Sequence, residues 1–271
     1  DASGSASITP ADIGSSSTAE CGLDSNILSV TGFDCSNTGA ATTVTYTITD
    51  INGDSDNCTA TVTVEDNVAP AALCQNVTVQ LDANGNGSTT ANDVDNGSND
   101  ACGVASLSLS QTSFGCAEVG ANTETLTVSD VNGNVSTCST TVTVEDNVAP
   151  AALCQNVTVQ LDANGNGTTS AEAVDNGSND ACGVASLSLS QTAFGCAEIG
   201  ANAETLTVTD VNGNVSTCST TVTVEDNVAP VALCQNVTVQ LDANGNGSTT
   251  ANAVDNGSND ACGVASLSLS Q

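Results

Sequence analysis

Apolar residues recur at every second position in short runs along the chain, and polar turn residues separate the runs. Asn76 to Leu81 alternates through Val77, Val79 and Leu81; Val104 to Ser110 carries Leu107 and Leu109; Thr123 to Ser129 carries Leu126 and Val128. Val135 to Glu145 follows across Asp130-Val131-Asn132-Gly133-Asn134. A period of two predicts strands with one buried face. Asn-Gly between two such strands predicts a hairpin, because both residues tolerate positive φ. A weaker strand is expected over Ser88 to Val94, and no helical period holds for three turns. The predicted fold class is therefore all-β, an antiparallel β-sandwich with its Val/Leu side inward and its Thr side in water.

The same pattern returns at a fixed distance. Pro70, Pro150 and Pro230 lie 80 residues apart, each inside a near-identical run that reads TVTVEDNVAPAALCQNVTVQLD at its second occurrence. A fixed period predicts a tandem array. Residues 1–69 are a divergent copy without its first strand, 70–149 and 150–229 are full copies that differ at eight positions, and 230–271 repeat the first half of a copy. Because Asp1 aligns with Asp82 and Gln271 with Gln111, the chain reads as a piece of a longer array. The short hinge from Asn147 to Pro150 predicts end-to-end joining with little bending.

Charge narrows the function. The chain has 31 acids and no Lys, Arg or His, a formal charge of −31. Without cations to meet phosphates, nucleic acid is excluded as a partner. Lysine isopeptide bonds, arginine clamps and histidine bases are excluded by the same composition. The acids must either stay spread in water or gather external cations. One Tyr and three Phe do not furnish an aromatic-lined cleft, so no enzyme is expected. No apolar run is long enough to span a membrane, and membrane insertion is not expected.

The 13 cysteines recur four to a full copy. A regular even set in a small unit predicts a disulfide framework formed outside the reducing cytosol. The favoured pairs are Cys102–Cys116, Cys74–Cys138 and their repeats Cys182–Cys196, Cys154–Cys218 and Cys21–Cys35. Four cysteines allow three pairings, and spacing alone does not choose among them.

Two places could hold a cation. Asp82-x-Asn84-x-Asn86, repeated as Asp162, Asn164 and Asn166, opens like a calcium loop but lacks a constant closing acid, and a plain Asn/Gly turn is the competing reading. The seam between copies is the stronger candidate. There Glu65, Asp66 and Asn67 are expected to approach Asp95, Asp100 and Asp130 of the following copy. Glu145, Asp146 and Asn147 repeat the set with Asp175, Asp180 and Asp210, and Glu225 and Asp226 with Asp255 and Asp260. Hard oxygens gathered without a base suit Ca2+; an acidic linker stiffened by proline alone is the alternative.

The run from Val119 to Cys138, with TVTVEDNVAP close behind it, resembles the hyalin repeat (HYR) family. ALCQNVTVQLDANGNG with DNGSNDACGVASLSLSQTSFGC is similar to the cysteine-rich repeats of giant Bacteroidota surface adhesins, including those of gliding motility, and VEDNVAP resembles the calcium-binding linker of cadherins. These resemblances cover the whole chain and imply immunoglobulin-like, extracellular domains displayed on the cell surface as a filament. The expected function is the stalk or filament of an adhesin, with neighbouring repeats or further copies as partners. The alternative is a multivalent module that engages a surface polysaccharide by avidity.

Overall fold

The computed structural model describes residues 1–14 and 16–270; Gln271, which closes the partial copy, lies outside them. The described chain divides into two compact units, Asp1–Asp82 with Asn86–Glu145, and Ala83–Gly85 with Asp146–Gln271.

In the first unit, β1 (Ser5–Ser7), α1 (Pro10–Ile13), β2 (Leu23–Leu28), β3 (Gly32–Asp34), β4 (Ala41–Asp50) and β5 (Ser55–Thr63) form the divergent copy. Its sheet has the order β2-β4-β5, and β1 pairs with β3. Then come β6 (Val77–Gln80), β7 (Asn86–Ser88), α2 (Ala91–Val94), β8 (Val104–Leu109), β9 (Ser113–Gly115), β10 (Gly120–Asp130) and β11 (Val135–Glu145). They make a four-stranded sheet, β6-β11-β10-β8, and the short pair β7-β9. Every pair is antiparallel except β6 with β11, which run parallel in the register Val77↔Val142.

The alternation seen in the sequence decides which face is buried. Leu126 and Val128 of β10 are fully buried and pack with Val94, Val77, Val104, Leu107, Leu109 and the Cys74 and Cys138 sulfurs. Glu124 lies on the same inward row and is satisfied by the Ser110 hydroxyl, which donates to its carboxylate. Gly87 is needed at the β7-β9 pair, because a Cβ there would stand 2.5 Å from Val79 Cγ1. In the divergent copy Tyr46 occupies the strand position facing Cys58, as Leu126 faces Cys138 in the next copy. Its ring leaves no room for a side chain at Gly14, which aligns with Asp95.

The expected strand over Ser88 to Val94 is corrected. Only Ser88 ends a strand, and Ala91–Val94 is one helical turn. This turn and its repeats in the following copies share an N-cap hydroxyl: Thr90 accepts the Asp93 amide at 3.3 Å, Ser170 that of Ala173 at 3.3 Å and Thr250 that of Ala253 at 3.2 Å. In the first, the Asp93 carboxylate also accepts the Thr90 amide at 2.8 Å and completes a capping box.

The second unit repeats this plan with β12 (Val157–Gln160), β13 (Asn166–Thr168), α3 (Ala171–Val174), β14 (Val184–Leu189), β15 (Ala193–Gly195), β16 (Gly200–Asp210) and β17 (Val215–Glu225). The sheet order is β12-β17-β16-β14, with β13-β15 apart. Two apolar layers fill the sandwich. One gathers Ala171, Val174, Leu206 and Val208, and the other Val159, Leu161, Phe194, Val222 and Val224. Among its described residues the partial copy has α4 (Ala251–Val254) and the internal bridges Val231↔Asn259 and Cys234↔Asp255. Its VTVQ run is identical to β6 and β12 but forms no strand, since the hairpin that would pair with it is absent from the chain.

Candidate functional site

The seam is built by a hairpin, a loop and a disulfide. In the second unit β17 is preceded by the turn Asp210–Asn214, closed by the Asp210 amide on the Asn214 carbonyl at 3.0 Å. Buried Asp210 (2% exposed) accepts the amides of Asn212 and Asn214 through Oδ1, at 2.9 and 2.8 Å. Its Oδ2 accepts the Asn214 side chain at 2.9 Å. Burial works against ionisation of Asp210, but the Asn214 side chain and the turn amides together outweigh it and hold the carboxyl below its ordinary value. The Asn214 side-chain amide also donates to the carbonyls of Asp146 and Val148, at 3.0 and 3.2 Å, and so ties the linker to the hairpin. Asn134 makes the same bonds to Asp66 and Val68 in the first unit, at 2.9 and 3.2 Å.

Held in this way, the linker acid meets the loop acid. One carboxylate oxygen each of Asp66 and Asp100 lie within 4.8 Å of each other and of the Cys102 sulfur; Asp146, Asp180 and Cys182, and Asp226, Asp260 and Cys262, form the same group. Cys102 and Cys262 are in disulfides, so their sulfurs are not thiolate ligands and the donors are the carboxylates. In each group the loop acid accepts the amide two residues on, for example Asp180 from Cys182 at 2.7 Å. The linker acid accepts with one oxygen only, as Asp146 Oδ1 does from Val148 at 3.0 Å. The other oxygen, Oδ2 of Asp66 and of Asp146, is buried with no hydrogen-bond partner. Asp146 as a whole is 7% exposed. A buried carboxylate oxygen left unpaired beside a second carboxylate is costly unless something cationic meets it, and this chain has no basic side chain.

The structure does not bring all the sequence candidates together. Asp130 and Asp210 are spent on their own hairpins. Asp95, Asp175 and Asp255 turn their carboxylates onto the amides of their own loop, for Asp95 those of Gly97 and Ser98 at 3.2 and 3.0 Å. The Ser98 hydroxyl, opposed by burial and helped by the loop amides, holds the Asp95 carboxyl below its ordinary value. Glu145 and Glu225 each accept the side chain of the glutamine beside them on the parallel strand, Gln80 and Gln160, at 2.7 Å. Asn227 also joins Gln160, at 2.7 Å. Glu65, Asn67 and Asn147 are exposed. Asp82 and Asp162 each accept the amide four residues on, at 3.0 Å, and Asp162 also that of Asn164 at 2.8 Å, so these carboxylates serve the turn. Neither Asp82 nor Asp162 belongs to an acid group of the seam type among the described residues.

The disulfides differ from the expected set. Cys74–Cys138 and Cys154–Cys218 close within a copy, whereas Cys35 is bonded to Cys102 and Cys196 to Cys262 across the seam. The expected Cys102–Cys116, Cys182–Cys196 and Cys21–Cys35 are corrected accordingly; Cys21 is free, as are Cys58 and Cys234, while Cys116 and Cys182 are also disulfide-bonded. The reason is the strand between the favoured partners. β8 and β14 carry the chain six residues, on the order of 20 Å, before the second cysteine is reached, and a disulfide spans less than about 7 Å between Cα atoms. The legible signal was Cys102 itself, two residues beyond Asp100 in the loop already assigned to the seam.

The Asn/Gly turn finds its role here. Gly165 adopts φ +76° and packs on the seam disulfide, so that a Cβ would stand 2.7 Å from Cys196 Sγ and 3.5 Å from Cys262 Sγ. Gly4 takes the corresponding place against Cys35, at 2.8 Å.

No family model matches the chain. No curated protein matches it either. Among solved structures it is similar to the extracellular domain of protocadherin γB4, at 16% identity over 73% of this chain and 39% of that one, with a TM-score of 0.34. It is also similar to repeats EC22–24 of mouse cadherin-23, at 14% identity over 69% and 75%, with a TM-score of 0.34. Of the chain of a protocadherin γB7 structure it spans 62%. At these values the likeness adds nothing to the assignment, which rests on the chain's own strands. No helix among the described residues is long and apolar enough to cross a membrane.

Proposed function

We propose that this chain is part of the structural repeat region of an extracellular, cell-surface adhesin, a stalk or filament whose seams bind Ca2+. The observation that carries the reading is the Asp146–Asp180 pair: a buried, unpartnered carboxylate oxygen beside a second carboxylate, in a chain with no basic side chain. Divalent calcium accepts hard oxygens in flexible geometry, and waters complete its shell where protein donors are few. Asp66 with Asp100 and Asp226 with Asp260 are proposed as the repeats of the same site, in which each cation joins the end of one copy to the loop of the next. Glu65, Glu145 and Glu225 then serve as outlying charges that raise the local cation concentration.

The near-identity of 70–149 and 150–229 supports a spacer, since a ligand-binding surface would need a distinctive patch. Disulfides within copies and across seams support a location outside the reducing cytosol. The hyalin-repeat resemblance supports display on a surface. Calorimetric titration of the non-reduced chain with calcium tests the reading. Heat of binding that disappears when Asp66, Asp146 and Asp226 are all changed to Asn supports it, and no heat with the native chain overturns it.

A further inference from the structure

Each seam carries two devices on one short segment, and the geometry joins them. Asp100 Oδ1 accepts the Cys102 amide at 2.7 Å, which fixes the backbone of Cys102, and Cys102 is bonded to Cys35 of the preceding copy. Asp66, which that preceding copy leads into, completes the acid pair within 4.8 Å of the same sulfur. Asp226, Asp260, Cys262 and Cys196 repeat the arrangement, with Asp260 accepting the Cys262 amide at 2.8 Å. The unpaired oxygens of Asp66 and Asp146 point to a cationic ligand independently of the acid cluster.

We infer that seam disulfide and seam cation are thermodynamically coupled: a bound divalent cation protects Cys35–Cys102 and Cys196–Cys262 from reduction, and reduction weakens cation binding at that seam. The inference rests on the calcium reading above. The disulfide holds the loop acid against the linker acid and so raises the effective concentration of one for the other. Linkage then requires the reverse effect of equal size, because whatever the disulfide adds to cation affinity the cation adds to the disulfide. Cys74–Cys138 and Cys154–Cys218 lie inside copies, packed with Leu126 and Leu206, and share no segment with an acid pair. They are the internal reference.

The test uses the full chain with exposed Cys21, Cys58 and Cys234 first blocked by alkylation. Dithiothreitol then supplies two electrons and two protons per disulfide, leaving two thiols and its own cyclic disulfide. The protein is brought to equilibrium at graded ratios of reduced to oxidised dithiothreitol, and thiols are then trapped with a second alkylating reagent and located by mass spectrometry, in calcium or in chelator at constant ionic strength. The expected result is an equilibrium constant for reduction at Cys35 and Cys262 lowered about tenfold by calcium, a typical size for coupled sites, with Cys74 and Cys154 unaffected. In Asp100→Asn, whose amide oxygen can still accept the Cys102 amide, protection should vanish at Cys35 and persist at Cys262. Equal equilibrium constants at Cys35 with and without calcium, in protein shown by calorimetry to bind calcium, overturn the coupling and leave the calcium reading standing. Absence of calcium binding removes both.

Discussion

The side-chain amide of Asn214 donates to the main-chain carbonyl of Asp146 at 3.0 Å across 68 residues of sequence. One NH2 group thus serves the linker, through Asp146 and Val148, and the hairpin, through Asp210. Asn214→Ala leaves those acceptors without their partner in a partly buried place. The expected cost is about 1–3 kcal/mol, the range for stranding buried polar groups, measured as a lower midpoint in urea.

Gly165 meets the seam disulfide with positive φ, whereas Gly177 has positive φ and nothing within 4 Å of its would-be Cβ. Gly177→Ala should therefore cost only the backbone strain, about 1–2 kcal/mol. Gly165→Ala adds a clash with Cys196 Sγ and should cost more, with faster reduction of Cys196–Cys262 as its separate signature. Equal losses and equal reduction rates for the two variants would show that the turn does not bear on the disulfide.

Leu206 is fully buried in the inner layer of the second unit, and Leu153 is 44% exposed. Leu206→Ala should cost about 2–5 kcal/mol, and Leu153→Ala under about 1 kcal/mol. Urea unfolding of both variants under non-reducing conditions compares them directly.

The Asp210 carboxyl is held below its ordinary value, with burial outweighed by the Asn214 side chain and the turn amides. A depressed carboxyl contributes stability above its unfolded value, near 3.9, and loses that contribution as pH falls through its folded value. The stability difference between the native chain and Asp210→Asn should be constant from pH 7 to about 5 and close below about pH 4. Melting curves of both proteins across that range supply the test; a difference that widens in acid would contradict the assignment.

Much of the fold was legible because its signals are local. Val135 to Glu145 was read with both ends in place, since alternation there is long and Asp130–Asn134 marks the turn. The turn Ala91–Val94 was misread because Val94 fits a strand period as well as a helical one, and what recurs from this copy onward is the N-cap hydroxyl of Thr90, Ser170 or Thr250 accepting the amide three residues on. Strand Ser113–Gly115 was missed because three residues carry no period. The candidate site divided in the same way. Asp66 and Asp100 were legible as opposing acids, but which acids turn inward to their own loops depends on backbone amides that a sequence does not display. The seam disulfides depend on which strand ends meet, and cysteine spacing is silent on that.

The central claim is that the seam acids hold a divalent cation, and thermal unfolding of the non-reduced chain in calcium and in chelator, at constant ionic strength, tests it most directly. A site filled at a hundredfold excess over its Kd contributes about 2.7 kcal/mol. The account predicts a Tm raised by several degrees in calcium, and no rise when Asp66, Asp146 and Asp226 are replaced together by Asn. Superimposable melting curves of the native chain in calcium and in chelator would contradict it, leaving the seams to disulfide, asparagine and proline alone.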